Sequence, residues 1–322
     1  MNIKQALKGT AATQKLIIIG TLIVLFCFFA AMRPAFASYD NIMTIALSTC
    51  VNGFLALGVT FVITSGGIDL AVGTVMTFSV VLSGVSFARW GWPLPVSILF
   101  GFFVGGACGA VSGFAIAKMK LPPFIATMAM QMITKGLSLV ISGIKPVYFT
   151  GSDAYQKIAL GNFLGIEGFY NAFFLFIVAI VIAYVLYSKT LLGRYTQAIG
   201  SNEEATRVSG IKTDNWKIFI YIVCGLFSAG AGLIMSSRLN SAQPQLGVGY
   251  ELEAIAAAVI GGTSMSGGEG SIIGTVIGAF IIAVLTNGLR VMAVSAEWQS
   301  VVTGFVLGLA VYIDMMRRHK KD

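Results

Sequence analysis

The chain contains 322 residues, of which 57% are hydrophobic and 11% are charged, and its formal net charge is +8. Soluble domains carry about 25% charged residues, so this composition excludes one and indicates an integral membrane protein. The positive charge does not indicate nucleic-acid binding, because the sequence has no soluble domain that would carry a basic surface.

Nine apolar runs approach the roughly 20 residues that cross a bilayer. They are Leu16–Met32, Ile42–Ser65, Leu70–Ala88, Pro95–Ala117, Pro123–Ile141, Ala172–Tyr187, Ile218–Met235, Ile272–Leu289 and Val301–Met315. A shorter run, Leu252–Ile260, brings the count to about ten membrane elements. Because lipid leaves no partner for free backbone groups, runs of this length predict an all-α bundle. We expect residues 1–322 to form a single transmembrane domain.

The N-terminal segment has two interpretations. Lys4, Lys8 and Lys15 precede an apolar run and the tripeptide Ala35-Phe36-Ala37, a pattern typical of a cleavable signal peptide. The run is longer than the core of about 7–15 residues that signal peptides have, which favours an uncleaved first span.

The basic residues predict how the spans are oriented. If the N-terminus is cytoplasmic and the spans alternate, fourteen Lys and Arg residues lie inside and six outside, with Lys135 within a span. The six outer residues are Arg33, Arg89, Lys145, Lys157, Arg238 and Arg290. This imbalance follows the positive-inside rule and predicts that both termini are cytoplasmic.

The second and third runs are separated by "GGIDLAVG", residues 66–73. Asp69 precedes a helix predicted to begin near Leu70, so its carboxylate can accept a hydrogen bond from an amide of the first turn. The helix dipole favours a negative charge at the same place, and the glycines permit a tight turn. A capping role for Asp69 is favoured over direct contact with a solute, although both hold if the capped end faces a pathway.

Two polar connections between the runs are long. Residues 142–169 form a glycine-rich connection that the predicted topology places outside. Residues 188–217 form a connection with eight charges that the same topology places inside.

The inner connection contains a predicted helix of about two turns. Ser201 and Glu204 have the spacing of an S-x-x-E capping box, and Glu203 and Arg207 are four residues apart and can pair. Gly210 can end the helix in the left-handed conformation. So short a helix is marginal in water and needs a packing partner. The residues leave open whether that partner is the chain's own bundle or another subunit.

The short run Leu252–Ile260 also adjoins a glycine-rich break. It either continues through residues 261–270 or forms a re-entrant half-helix. Glu251 and Glu253 open it and point to different faces, so at most one of them faces a pore. The segment "VIGGTSMSGGEGSIIGTV" echoes "VITSGGIDLAVGTV" near the first break. Paired breaks of this kind are typical of the substrate site of a transporter, and we expect broken or re-entrant helices near residues 64–73 and 251–270.

Ionisable side chains are scarce in the predicted spans, which disfavours an ion-coupled transporter. The only histidine is His319 in the basic tail, and the sequence has no G-x-x-x-x-G-K-[ST] loop for ATP. It also has no metal-ligand spacing and no nucleophile–base constellation, so we expect no metal, no cofactor and no enzymatic activity.

A pathway lined by amides, hydroxyls and backbone suits a neutral, hydroxylated solute. The candidate pathway residues are Asn52, Thr64, Gly66, Gly67, Asp69, Gln131, Glu251, Glu253, Gly261, Gly262, Thr263, Ser264 and Asn287. A self-sufficient secondary transporter or facilitator for such a solute remains the alternative to an ATP-driven one.

Three motifs resemble the permease subunit of bacterial ABC importers for monosaccharides, most of all the ribose type. They are "GGIDLAVG", "LGRYTQAIGSNEEATRVSGI" and "SAQPQLGVGYELEAIAAAVIGGTSMSGGEGSIIGT", in that order along the chain. Glu204, Ala205 and Gly210 also match the E-A-A-x-x-x-G spacing of importer permeases, with Thr206 in place of the second alanine.

The resemblance implies a ten-helix subunit of an inner-membrane dimer, with a second copy of the chain as the expected partner. Two ATP-binding subunits would dock inside, and a periplasmic sugar-binding protein would dock outside. The residues that would contact the ATP-binding subunit are Asn202, Glu203, Glu204, Ala205, Arg207 and Gly210, and those that would meet the binding protein are Arg238 and Gln243. Ribose is the expected sugar; galactose, arabinose, xylose and autoinducer-2 remain alternatives.

Overall fold

The computed structural model describes residues 3–319, and this part of the chain is almost entirely helical. Its helices are α1 (Ile3–Met32), α2 (Tyr39–Thr64), α3 (Val72–Ala88), α4 (Leu94–Ala117), α5 (Pro123–Ser142), α6 (Asp153–Leu160), α7 (Asn171–Lys189), α8 (Leu191–Ser201), α9 (Glu203–Val208), α10 (Thr213–Leu239), α11 (Tyr250–Ile260), α12 (Ile272–Val291) and α13 (Ala296–His319). Two short strands, β1 (Val147–Tyr148) and β2 (Ser241–Ala242), pair antiparallel. The all-α prediction is confirmed. Two of the fourteen basic residues that the predicted orientation places inside, Lys320 and Lys321, lie outside the described residues.

Six helices within residues 3–319 are long and apolar enough to cross a membrane. They are α2, α4, α5, α7, α10 and α12. The apolar part of α1, Leu16–Met32, and the whole of α3 are apolar but shorter. The predicted runs therefore coincide with helices, while length and composition identify six of them as full spans.

Helix α2 lies at the centre of the bundle. From Thr49 to Thr64 nearly all of its side chains are buried, and apart from Asn52 they are apolar or carry only a hydroxyl or thiol group. It packs against α7, α10, α11 and α12. The hydroxyls of Thr60 and Thr275 lie 2.8 Å apart and join α2 to α12. A helix enclosed on all sides needs no amphipathic pattern, which is why its sequence is apolar all round.

Glycines allow α4 and α10 to pack backbone against backbone. A Cβ added at Gly105 would lie 2.5 Å from the Gly225 carbonyl oxygen, and one at Gly225 would overlap the Gly105 carbonyl. One turn along α4, Gly109 lies against the backbone of Tyr221. Small residues at such crossings are how membrane helices gain close contact without a hydrophobic driving force.

We expect Gly225→Ala to destabilise the protein by about 1–3 kcal/mol, because the new methyl has no room at this crossing. Gly136→Ala is the matched control, since a Cβ at Gly136 on α5 meets nothing within 4 Å. That control should be neutral or slightly stabilising, as alanine is the better helix former. Thermal unfolding of the purified protein in detergent compares the two, and equal melting temperatures would contradict the tight crossing.

The two ends of the bundle are distinguished by their connections. At one end, here called the α9 face, α8 and α9 lie between the end of α7 and the start of α10. At the opposite face, the β1–β2 pair joins the connection after α5 to the connection after α10. There the Arg89 guanidinium, just beyond α3, donates to the carbonyl oxygens of Ile141 and Ser142 at 2.7 and 2.8 Å. These bonds satisfy the free carbonyls at the end of α5 and fix α3 to it.

Candidate translocation pathway and docking helix

The first predicted break is present between α2 and α3. Helix α2 ends at Thr64, α3 begins at Val72, and the residues between them are not helical. Asp69 lies in this segment, is only 5% exposed, and accepts a hydrogen bond of 2.9 Å from the Ala71 amide. Helix α3 begins two residues later than expected. The bonded amide therefore precedes the helix and does not belong to its first turn.

Substitutions at Asp69 separate its hydrogen bond from its charge. Asp69→Asn keeps the oxygen that accepts from Ala71, so we expect its stability to stay near that of the unmodified protein. Asp69→Ala removes the acceptor and leaves the buried Ala71 amide unpaired, which should cost about 1–3 kcal/mol. Thermal unfolding measures both, and an equal loss in both variants would show that the charge itself is required.

The second predicted break is present after α11. This helix has 11 residues and ends at Ile260; at about 1.5 Å per residue it is half the thickness of a bilayer core. Residues 261–271 are non-helical and lead into α12, which packs antiparallel on α11, with Gly278 against Ala257 and Gly274 against Gly261.

The segment before α12 crosses the bundle rather than turning back. It starts at β2, on the opposite face, and reaches Gly268, whose amide donates to the Thr64 carbonyl at 2.8 Å beside α8 on the α9 face. The crossing consists of a non-helical stretch, residues 243–249, followed by α11. Neither alternative for residues 251–270 holds as stated: the helix does not continue through residues 261–270, which are non-helical, and the segment before α12 does not turn back to the face where it starts.

The segment that runs from the first break into α3 and the segment that runs through α11 into the second break, here called the two broken crossings, touch at two levels. Deep in the bundle, a Cβ added at Gly73 would overlap the Gly247 carbonyl, and one at Gly247 would overlap that of Gly73. Near the α9 face, a Cβ added at Gly267 would lie 3.1 Å from the Cα of Gly66. The internal echo in the sequence therefore corresponds to two segments that lie together, as in transporters built around paired broken helices.

Four of the predicted pathway residues meet at the start of α11. The Gln131 amide on α5 donates to Glu251 at 2.8 Å, and the Asn52 amide on α2 donates to Glu253 at 3.3 Å. Glu251 also accepts from the Gly249 amide at 3.0 Å and is 7% exposed. The two glutamates therefore point to different helices, in agreement with their spacing.

Two amides among the predicted pathway residues present acceptors that are not used within residues 3–319. The side-chain oxygens of Asn52 and Asn287 are buried and have no hydrogen-bond partner there. Buried polar atoms without a partner are uncommon, and each one marks a place for a further donor. A hydroxylated solute carries such donors.

The remaining pathway candidates lie on the breaks themselves. Gly66 and Gly262 have φ angles of 79° and 94°, which favour glycine, and Gly67 lies against the Tyr221 hydroxyl. Thr64, Thr263 and Ser264 are buried. Gly261 contacts α12 instead of a cavity. The structure thus separates the candidates into the cluster around α11 and a second group toward the α9 face.

The predicted docking helix is α9, although its start differs from the expected one. Ser201 is the last residue of α8, so the expected capping box does not form; Asn202 is the N-cap instead, and its side-chain oxygen accepts from the Ala205 amide at 2.9 Å. The expected Glu203–Arg207 pair is present at 3.2 Å. Gly210 has a φ of 85°, the left-handed conformation that was predicted.

Glu203 anchors α9 to α10. It accepts hydrogen bonds from Lys217 and Thr213 of α10 as well as from Arg207. Partial burial raises its pKa, but the neighbouring cations stabilise the carboxylate more, so the pKa lies below its ordinary value. The pairing therefore adds stability at neutral pH that is lost as the pH falls through the lowered pKa.

The outer side of α9 is exposed and partly apolar. Glu204 and Ala205 face away from the bundle, and Val208 is 84% exposed, while Thr206 is buried against it. Val208 was not among the predicted contact residues. The available signal was an apolar residue four positions after Glu204 in a polar helix, which places both on one face.

Arg238 and Gln243, predicted to meet a partner outside, are half-buried. The Gln243 amide donates to the Ser241 hydroxyl of its own connection at 3.2 Å. Within the described residues of the outer connections, Leu164 is instead 82% exposed.

Comparisons with known proteins agree with these features. The family model described as the permease component of the branched-chain amino acid transport system matches residues 41–311. The ribose import permease protein of Bacillus subtilis is 42% identical over 301 residues, covering 91% of this chain and 90% of that protein. The corresponding protein of Escherichia coli K12 is 38% identical over 296 residues, covering 91% of each chain.

A xylose transport system permease protein of Haemophilus influenzae is 32% identical and covers 98% of this chain and 99% of its own. Among solved structures, an inward-facing conformation of a transporter assigned to the metal-chelate type of ABC transporters has a TM-score of 0.52. It is 14% identical and covers 92% of this chain and 98% of its own. That likeness concerns the fold.

Proposed function

The chain belongs to the family of permease components typified by the branched-chain amino acid transport system, and from this premise we propose that it carries a monosaccharide, first of all ribose, through an ATP-driven importer. The observation that carries the proposal is the 38–42% identity to ribose import permeases over about nine-tenths of the chain. Xylose is the nearest alternative, since a xylose permease is 32% identical.

The chain is a multi-pass protein of the inner membrane, as its family and its six apolar helices indicate. We place about ten membrane elements in it, counting α1, α3, the α11 crossing and α13 with the six long spans. Both termini are then cytoplasmic, residues 188–217 form the cytoplasmic coupling connection, and residues 142–169 form the periplasmic one. The α9 face is the cytoplasmic face.

ATP is hydrolysed by a separate subunit that docks on α9. The proposed docking residues are Asn202, Glu203, Glu204, Ala205, Arg207 and Gly210, to which we add Val208 because of its exposure. Support comes from the shape of the helix: Glu203 holds it to α10, while Glu204 and Val208 project into solvent. A rigid, partly apolar knob of this kind fits a pocket on a partner.

The sugar passes beside the two broken crossings by alternating access. Amide and carboxylate side chains of Asn52, Gln131, Glu251 and Glu253 form one polar region, where the unused oxygen of Asn52 can accept from a sugar hydroxyl. Thr64, Gly66, Asp69, Thr263 and Ser264 follow toward the α9 face. Rocking of packed helices around such a site opens it first to one side and then to the other.

A periplasmic sugar-binding protein delivers the substrate to the outer connections. Arg238 and Gln243 are half-buried, so the exposed Leu164 takes the leading role in this docking. We propose that two copies of the chain assemble as a homodimer with two ATP-binding subunits.

Uptake of labelled ribose into proteoliposomes tests the proposal. The chain alone is compared with the chain combined with its ATP-binding subunit, its loaded sugar-binding protein and ATP. We expect uptake only in the complete, ATP-supplied system. Uptake by the chain alone would identify a facilitator or secondary carrier instead. If the binding protein stimulates ATP hydrolysis but no ribose is taken up, the protein is still an importer and its sugar is not ribose.

A further inference from the structure

The C-terminal end of α8 is inserted between the two broken crossings. Gly200 lies against the Thr64 carbonyl at the end of α2, and a Cβ added at Gly200 would also lie 2.5 Å from the Gly268 amide nitrogen. On the other side, a Cβ at Gly267 would lie 2.7 Å from the Gly200 carbonyl oxygen. One residue thus touches both breaks, which are about 200 positions apart in sequence.

The contact leaves no room for side chains. The hydrogen bond from the Gly268 amide to Thr64 closes the two breaks on each other at 2.8 Å. A Cβ added at Gly268 would lie 2.5 Å from the Ser201 hydroxyl oxygen. Backbone approaching backbone this closely is what glycine permits, and it makes the contact sensitive to displacement of any of its parts.

Helices α8 and α9 are linked by a single residue that is bonded to both. The Asn202 amide donates to the Ala198 carbonyl of α8 at 3.0 Å, and its side chain accepts from Ala205 of α9 at 2.9 Å. Its carbonyl also accepts from the Thr206 amide at 3.1 Å. A link this short and fully bonded passes a displacement of α9 directly to Gly200.

We propose that these residues, Thr64, Gly66, Gly200, Ser201, Gly267 and Gly268, form a glycine joint that transmits the movement of α9 to both broken crossings at once. The inference rests on the proposed function, because it takes α9 to be the docking site of the ATP-binding subunit. Gly200 is then a positioning residue: it touches no sugar, and it couples docking to the pathway by separating from, and returning to, the two breaks.

A reversible crosslink tests whether the joint has to move. A Cβ at Gly268 would lie 3.4 Å from the Ser201 Cβ, close to the roughly 3.5–4.5 Å that disulfides span. The variant Ser201→Cys/Gly268→Cys, with the exposed Cys27 replaced by Ser, is assembled with its partner subunits. Oxidation should lower ATP-driven ribose uptake by about tenfold or more, and dithiothreitol should restore it. The two single-cysteine variants, oxidised alike, serve as controls.

Unchanged uptake with the crosslink verified by mass spectrometry would overturn the joint. Absence of uptake in the complete system with the unmodified chain would instead overturn the proposed function, so the two failures are distinguishable. Gly200→Ala provides a second measurement should cysteine at Gly268, with its φ of 81°, prevent assembly. We expect it to keep stimulated ATP hydrolysis and lose uptake, while Gly136→Ala keeps both. Equal loss of hydrolysis and uptake in an intact Gly200→Ala complex would contradict transmission.

Discussion

Val208→Asp should abolish ATP-driven uptake and leave the bundle folded. The side chain is 84% exposed, so the isolated protein loses no packing when it changes. Once α9 enters a pocket of the ATP-binding subunit, the new carboxylate is buried without a partner, at a cost of about 3–5 kcal/mol. That corresponds to an affinity at least about 100-fold lower. Co-purification of the ATP-binding subunit and ribose uptake measure the loss, and thermal unfolding checks the fold.

Glu204→Lys probes the same surface through charge. Glu204 is exposed one turn before Val208, and reversing its sign is expected to abolish uptake with no change in melting temperature. Ser209→Ala is the matched control, because its exposed hydroxyl bonds only to the Ala205 carbonyl of the same helix. Normal transport by Glu204→Lys and by Val208→Asp would mean that the ATP-binding subunit docks elsewhere.

The second large effect is expected at Glu251. Its carboxylate holds the Gln131 amide and the Gly249 amide, one from α5 and one from the start of the broken crossing. Glu251→Ala leaves two half-buried donors without their acceptor, each costing at most about 1–3 kcal/mol. We expect uptake to fall by more than about tenfold and the melting temperature to fall as well, because the entry into α11 loses its fixed geometry.

A second glutamate serves as the control for Glu251→Ala. Glu297→Ala removes an exposed carboxylate at the start of α13 and should change neither uptake nor stability measurably. Glu251→Gln keeps one acceptor oxygen and is expected to fall between the two alanine variants. Full uptake by Glu251→Ala in a stable complex would remove this residue from the pathway.

The membrane helices were predictable because their signals are local. Two apolar runs that begin with proline predicted helices close to the observed ones. The run Pro95–Ala117 corresponds to α4, Leu94–Ala117, and the run Pro123–Ile141 corresponds to α5, Pro123–Ser142. Proline favours the first turn of a helix, and apolar length reflects the bilayer itself. The break at Asp69 was predictable in place but not in extent, since the Asp69–Ala71 bond delays the start of α3.

The contacts between distant segments were not predictable. Ser201 and Asn202 are both good capping residues in sequence, and the choice of Asn202 follows from α8 continuing through Ser201. The partners of Glu251, on α5, and of Gly200, on both breaks, depend on how helices cross. No periodicity within one run encodes that. Val208 was overlooked because exposure in the assembled bundle, rather than residue type, distinguishes it.

The pair of hydrogen bonds from Arg89 to the end of α5 fixes one end of α3 in place. Its far end is pinned, whereas its near end at Val72 continues into the non-helical residues that reach the glycine joint. Its 17 residues make an arm of about 25 Å. Pivoting about the pinned end by roughly 5° swings the near end by about 2 Å. A small tilt about the fixed end of α3 would thus displace the residues at its other end, on the opposite side of the bundle, by about the width of a hydroxyl group.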